Sequence, residues 1–179
     1  DIVAPVRAIR AFYHFIMMDL YGDVPILART PESGEVIERK PRAEVARWIE
    51  EELKAVTPLL TEENNAETYG RPNKWMAKAL LAKLYLNWGV YTCDDVTKVT
   101  NETSNNHEKL NDLVAVCDEI IESGIFEVGK GYRQKFFPNN GVQIKDFIYA
   151  MDFDPIAMPT KYVGGHQLDR FTTFKKANN

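Results

Sequence analysis

Five side chains stand where a bound ligand would meet them: Tyr69, Tyr132, Tyr162, His166 and Gln167. Each lies among polar or glycine residues in a segment without helical period, and loops held by a rigid scaffold supply a large share of binding residues. These are residue types that sugar binding would use. The C–H face of a pyranose stacks on an aromatic ring, while imidazole and amide groups bond its hydroxyls. Tyr162 ranks first, because Gly164, Gly165, His166 and Gln167 follow it. Trp48, Trp75 and Trp88 are aromatic too, but they fall at helical spacing and are expected in the core.

Catalytic chemistry has less to draw on. His14, His107 and His166 have no neighbouring Ser or Cys in a hydrolase-like motif. His14 stands in an apolar helical run and reads as a satisfied core histidine, and His107 as a loop or helix-start residue. Asp152 and Asp154 alternate on one face of a strand candidate, a geometry able to share a cation or flank a glycosidic bond. A wet strand face is the expected reading of that pair, and a glycosidase using them is the enzymatic alternative. Asp94-Asp95 reads as a helix cap or end beside a polar loop. Gly129-Lys130-Gly131 is too short to cradle a phosphate. Asn101-Glu102-Thr103 matches the glycosylation acceptor, a triplet common by chance. Cys93 and Cys117 form no CxxC and read as small, partly buried side chains; a disulfide would need their Cα atoms within bonding range. No metal and no cofactor are expected.

Composition narrows the classes further. The 179 residues are 45% hydrophobic and 27% charged, which is a globular balance. The net charge of -4, with Lys and Arg scattered and no basic stripe, argues against nucleic acid as a partner. Every long apolar stretch is interrupted by a charged or polar residue, so no segment reads as a membrane span.

The elements that would position these groups follow from periodicity. Val3, Val6, Ile9, Phe12, Tyr13, Phe15, Ile16 and Leu20 predict a first helix with a wide, largely buried face, ended by Gly22 and Pro25. The chain is thus expected to start inside structure, as a fragment of a longer protein. A second helix starts at Pro41, with Val45, Trp48, Ile49, Leu53 and Val56 inward and Glu50, Glu51 and Glu52 toward solvent. A third, from about Pro72 to Tyr91, is apolar over most of its circumference, with small Ala77, Ala79 and Ala82 allowing close approach. A fourth, from about Glu108 to Ser123, stops at Gly124. Asp94 to His107 reads as an exposed loop. Then the period changes to two: Ile125 to Val128 and Phe147 to Asp154 read as short strands. The fold class is mainly α, with tetratricopeptide-like helix pairs in an α-α superhelix, short β-strands and irregular loops. The helical hairpins occupy 1–125 and the strand and loop region 126–179, parts of one fold.

Several phrases, in order, carry a family likeness. They are Arg10-Ala11-Phe12-Tyr13-His14-Phe15, then Leu20-Tyr21-Gly22-Asp23-Val24-Pro25-Ile26, then Pro41-Arg42-Ala43-Glu44-Val45 with Ile49 to Leu53. Gly70-Arg71-Pro72 with Ala77 to Leu86, Ile120 to Val128, Phe136 to Asn140 and Phe147 to Ala150 complete the series. Together they resemble the SusD-like (SusD/RagB) family from about Val6 to Asp154.

That resemblance implies a helical fold of tetratricopeptide-like pairs, and no catalysis. It implies a lipoprotein on the outer face of the outer membrane in Bacteroidetes that caps a TonB-dependent transporter and captures oligosaccharide, or peptide in some members, for import. The lipidated Cys and the long C-terminal region of such proteins have no match here, so membrane attachment would run through an anchor absent from this chain. Two rivals stand beside glycan capture: a helical scaffold for a partner protein, and peptide capture without glycan binding.

Overall fold

In the computed structural model, residues 2–105, 107–129, 131–137, 141 and 143–150 are described. The first helical period closes into α1, Val3–Tyr21. Its stop is local: Gly22 takes φ of 75°, where a Cβ is disfavoured, and its N–H donates to the Met18 carbonyl at 2.8 Å. The chain then runs back, bridged once where Lys40 N–H donates to the Val24 carbonyl at 3.0 Å. Pro41, at φ -53° and ψ 140°, feeds α2, Arg42–Val56, and a 3-10 turn, Thr57–Leu59, extends its end.

The third helix begins later than its apolar pattern predicts. Asn73, not Pro72, sets the boundary, accepting the Met76 N–H at 2.9 Å as an N-cap. This helix, α3, covers Lys74–Leu86; the backbone leaves the helical path at Asn87 and resumes in a single turn, α4, Trp88–Tyr91. The polar stretch after Tyr91 holds a 3-10 turn, Val96–Lys98, and a short helix, α5, Asn101–Asn105. Leu110–Glu122 form α6.

The helices pair as α1 with α2 and α3 with α6, and α2–α3 contacts join the pairs. Both pairs are antiparallel. Arg7 near the start of α1 reaches Glu52 near the end of α2, while Asp23 just past α1 meets Arg42 at the start of α2. Likewise Lys78 early in α3 pairs with Glu119 late in α6, while Trp88 donates to Glu108 just before α6 at 2.9 Å. Residues up to Tyr149 make one compact unit.

The core sits between α1, α2, α3 and α4, around Ile49, Leu53, Val56, Leu84, Tyr85 and Trp88. Trp75 and Trp88 are buried and Trp48 packs against the core, as their helical spacing predicts. The buried side of α1 meets the expectation in part: Ile9, Phe12 and Phe15 pack against the core. It is Ala4, Ala8, Ala11, His14 and Met18 that are buried, whereas Val3, Val6, Tyr13 and Leu20 are exposed. Three alanines one turn apart let α2 approach closely, and that gain in packing outweighs the larger apolar area left outside.

Neither strand candidate joins a ladder among the described residues. Ile125 to Val128 meets the later segment at a single point, where Glu127 N–H donates to the Lys145 carbonyl at 3.2 Å. In the second, Tyr149 packs against the helical core, edge-on to Phe12 at 6.1 Å; Met151 to Asp154 lie outside the described residues. A period of two records which side chains face the core. It does not require a hydrogen-bonded neighbour.

Candidate functional site

The segment after α6 is held by contacts to the helices before it presents anything to solvent. Gly124, at φ 64°, ends α6, and Ser123 caps it through Oγ to the Ile120 carbonyl at 2.7 Å. Phe126 then packs edge-on against Trp75 of α3 at 6.0 Å, and Tyr149 returns to α1. Between these anchors Gly129 N–H donates to Asp146 Oδ2 at 3.2 Å. A Cβ on Gly129 would lie 3.1 Å from that carboxylate, so a glycine suits the close approach.

The 3-10 turn Tyr132–Phe136 projects from this frame. It sets its first and last side chains next to one another. The Tyr132 and Phe136 rings lie 5.2 Å apart at 60°, and both are largely exposed, 71% and 67%. Lys135 reaches over the Tyr132 ring at 5.5 Å and pairs with Asp146. That ammonium holds the Asp146 carboxyl below the usual aspartate range, against a smaller opposing effect of burial. Lys135 also lines a cleft of about 300 Å³, together with Gln134, Gln143, Asp146 and Glu127; neither ring is part of that lining. Exposed aromatic rings near amides, a carboxylate and an ammonium suit a sugar: a ring takes its C–H face and the polar groups its hydroxyls.

Of the other residues expected to bind, Tyr69 is half-buried, beside a turn in which Thr68 and Asn65 bond one another, and does not line this cleft. Tyr162, His166 and Gln167 lie outside the described residues, as do Asp152 and Asp154. His14 is buried and doubly bonded. Its Nε2 accepts the Leu27 N–H at 3.1 Å, so Nδ1 carries the proton and donates to the Arg10 carbonyl at 2.8 Å. The ring is fully used in structure. His107 accepts the Lys109 N–H at 3.3 Å beside the start of α6. Asp95 caps the turn Val96–Lys98, accepting the Thr97 N–H and hydroxyl at 3.0 and 2.6 Å. Cys93 and Cys117 are both free thiols. Among the described residues no three His, Cys, Asp or Glu side chains gather as a metal site, and no helix is long and apolar enough to cross a membrane.

The acidic run of α2 divides: Glu51 is exposed as its pattern predicts, whereas Glu50 and Glu52 turn to partners. Glu50 is buried, and its Oε1 takes three donors: Tyr85 at 3.0 Å, Lys109 at 2.6 Å and Lys54 at 2.6 Å. Burial pushes the Glu50 carboxyl up, but these bonds outweigh it and hold the group below its usual range. The same burial, with Glu50 opposite, raises the Tyr85 phenol. Lys109 also lies over the Tyr85 and Trp88 rings at 5.5 and 5.3 Å. Glu52 receives Arg7 through two bonds, 3.1 and 2.7 Å, and Arg10 at 2.6 Å. The Arg7 bonds, and then Arg10, depress its carboxyl despite opposing burial. Glu52 joins α1 to α2, and Glu50 joins α2 to α3 and α6. Glu50 lies three residues before Leu53, and Glu52 three after Ile49 and four before Val56, and that spacing to the apolar stripe was the available signal. Phe136 was missed as the partner of Tyr132, although two aromatics four apart in a short polar segment point to a shared surface.

Comparison with known proteins adds identity to this geometry. Residues 7–86 match a SusD-like family model described as "Starch-binding associating with outer membrane". Over 89 residues the chain is 33% identical to the starch-binding protein SusD of Bacteroides thetaiotaomicron, a match covering 50% of this chain and 16% of that protein. A SusD-like protein from Bacteroides fragilis superposes on 89% of this chain with a TM-score of 0.65 at 23% identity, covering 28% of its own length. Surface glycan-binding protein A from Bacteroides uniformis superposes on 84% with a TM-score of 0.66 at 16% identity, covering 30% of its length. The chain thus spans less than a third of each relative.

Proposed function

We propose that this chain, which matches a SusD-like family model over residues 7–86, is the helical part of a SusD-like cell-surface protein that captures oligosaccharide without catalysis. The observation that carries the reading is the exposed Tyr132–Phe136 pair near the polar cleft that Lys135 lines. Two large rings left in water in a packed unit offer area for a ligand at little ordering cost, because the turn already holds them side by side. Residues 1–125 then serve as scaffold, and 126–179 as the presenting region, with Tyr162, His166 and Gln167 as further contacts. The bound chain would pass to a TonB-dependent transporter in the outer membrane, with the parent protein anchored by lipid at the cell surface.

The test is electrophoresis through gels containing single polysaccharides, with starch and laminarin among them. The wild-type chain is expected to be retarded by one glycan class and to release no reducing ends from it. A Tyr132→Ala, Phe136→Ala double variant should migrate freely. Full retention of binding by that variant would remove the site, and release of reducing ends would remove the non-catalytic reading.

A second reading, a helical scaffold for a partner protein, draws on the exposed Val3, Val6, Tyr13 and Leu20 along α1. It moves ahead if no polysaccharide retards the chain while Val6→Lys abolishes an association detected by light scattering.

A further inference from the structure

The ends of α1 and α4 and the start of α2 converge on a second cleft, of about 510 Å³, within the range of about 300–1,000 Å³ usual for ligand sites. Its floor is bonded tightly. Asp23 Oδ1 accepts the Arg42 N–H at 2.9 Å, and Arg42 in turn donates from Nε to the Tyr91 carbonyl at 3.0 Å and from Nη2 to Cys93 Sγ at 3.2 Å. Tyr91 is itself fixed by its hydroxyl to Asp19 at 2.7 Å. On the rim Asp95 is spent on its cap and on Lys98.

Three rim groups are not spent. Tyr21 is 74% exposed and pairs with no ring among the described residues. Arg39 and Asp94, both exposed and both lining the cleft, have no hydrogen bond or ion pair among the described residues. One face, one set of donors and one carboxylate acceptor thus stand open around a fixed floor. Each suits a different part of a pyranose: the ring its C–H face, the guanidinium and carboxylate its neighbouring hydroxyls. A single positive and a single negative open group leave no preference for a charged sugar.

We propose that this cleft, walled by Tyr21, Arg39 and Asp94, is a second oligosaccharide site that takes a neutral hexose chain. The ligand class rests on the glycan-capture reading above, whereas the site rests on its own geometry. Because the floor is bonded before a ligand arrives, binding here orders only the three rim side chains.

Titration of the isotope-labelled 179-residue chain with maltoheptaose, and separately with laminariheptaose, followed by amide NMR shifts, tests it. The proposal expects saturable shifts at Gly22, Asp23, Asp94 and Asp95 with at least one of these neutral chains. Tyr21→Ala with Arg39→Ala should weaken that site at least tenfold and leave shifts around Gly129 and Gln134 as they were. Shifts confined to Gly129, Gln134 and Asp146 would overturn this site and leave the first cleft standing. No shifts at either cleft with either sugar would overturn both. A double variant that binds at the Tyr21 cleft like wild type would overturn the assignment of its walls. Unchanged amide dispersion in that variant shows that the fold survives the change.

Discussion

The helical layer and the segment after α6 are both rich in aromatic residues, and they use them in opposite ways. In α3 and α4 each large ring with a polar atom is buried and partnered: Trp88 with Glu108, Tyr85 with Glu50, Tyr91 with Asp19, and Trp75 with the Glu62 carbonyl at 2.7 Å. After α6, Tyr132 and Phe136 lean on each other in water. A buried aromatic with an unmet N–H or O–H carries a desolvation cost, so a carboxylate or a backbone carbonyl meets each of these rings where it enters the core. The later turn supplies none, and its rings stay outside. The difference separates stability from recognition: one region should lose folding energy on mutation, the other binding.

The comparison breaks most visibly at Trp88. Trp88→Ala removes a ring 2% exposed and leaves a cavity between α2, α4 and α6. A loss of about 3–5 kcal/mol is expected in urea unfolding. A loss under about 1 kcal/mol would mean that the core is not organised around this ring.

Glu50→Gln is expected to cost less, about 1.5–3 kcal/mol, since it weakens bonds from Lys109, Lys54 and Tyr85 yet keeps the side-chain shape. Lys109→Met in the same background should then cost little more, because the two sites share one network. Additive losses would show instead that Lys109 acts through the Tyr85 and Trp88 rings alone.

Glu52→Gln, between α1 and α2, should cost about 1–2 kcal/mol at neutral pH. Its carboxyl is depressed in the folded state, so its contribution is present above the unfolded value, about 4.3, and is lost as pH falls through the lower folded value. Wild-type thermal stability should therefore hold from pH 7 to about 5 and decline below the ordinary glutamate range. The Glu52→Gln variant should decline less steeply over that window, and parallel profiles would separate Glu52 from acid sensitivity.

What the sequence made legible follows the same division. Helices, their order and their pairing could be read from apolar period, from Gly22 and Gly124, and from Pro41, because these act through local backbone geometry. The side of α1 that is buried could be read only in part, since a count of large apolar residues gives no weight to Ala4, Ala8 and Ala11, whose value lies in the closeness they allow. The roles of Glu50 and Glu52 were hidden because their partners are distant in sequence, 35 to 59 residues away for Tyr85 and Lys109 and 42 to 45 for Arg10 and Arg7. Tyr132 was legible as a polar-loop aromatic. Its pairing with Phe136 needed the 3-10 turn, which the residue pattern alone does not specify.

The smallest effect on folding should come from the exposed rings. Tyr132→Ala and Phe136→Ala each remove a side chain that is mostly in water, and surface changes of this kind usually stay within about 0.5 kcal/mol. The urea midpoint should therefore stay near wild type in both, with the slope unchanged. Phe126→Ala, six residues before Tyr132, supplies the contrast, because its ring packs on Trp75 and anchors the segment to α3. If Phe126→Ala shifts the midpoint and Tyr132→Ala does not, the segment is an anchored frame carrying a free surface. If Tyr132→Ala costs as much as Phe126→Ala, the ring pair is part of the packing after all, and its exposure would no longer single it out as a place for a sugar.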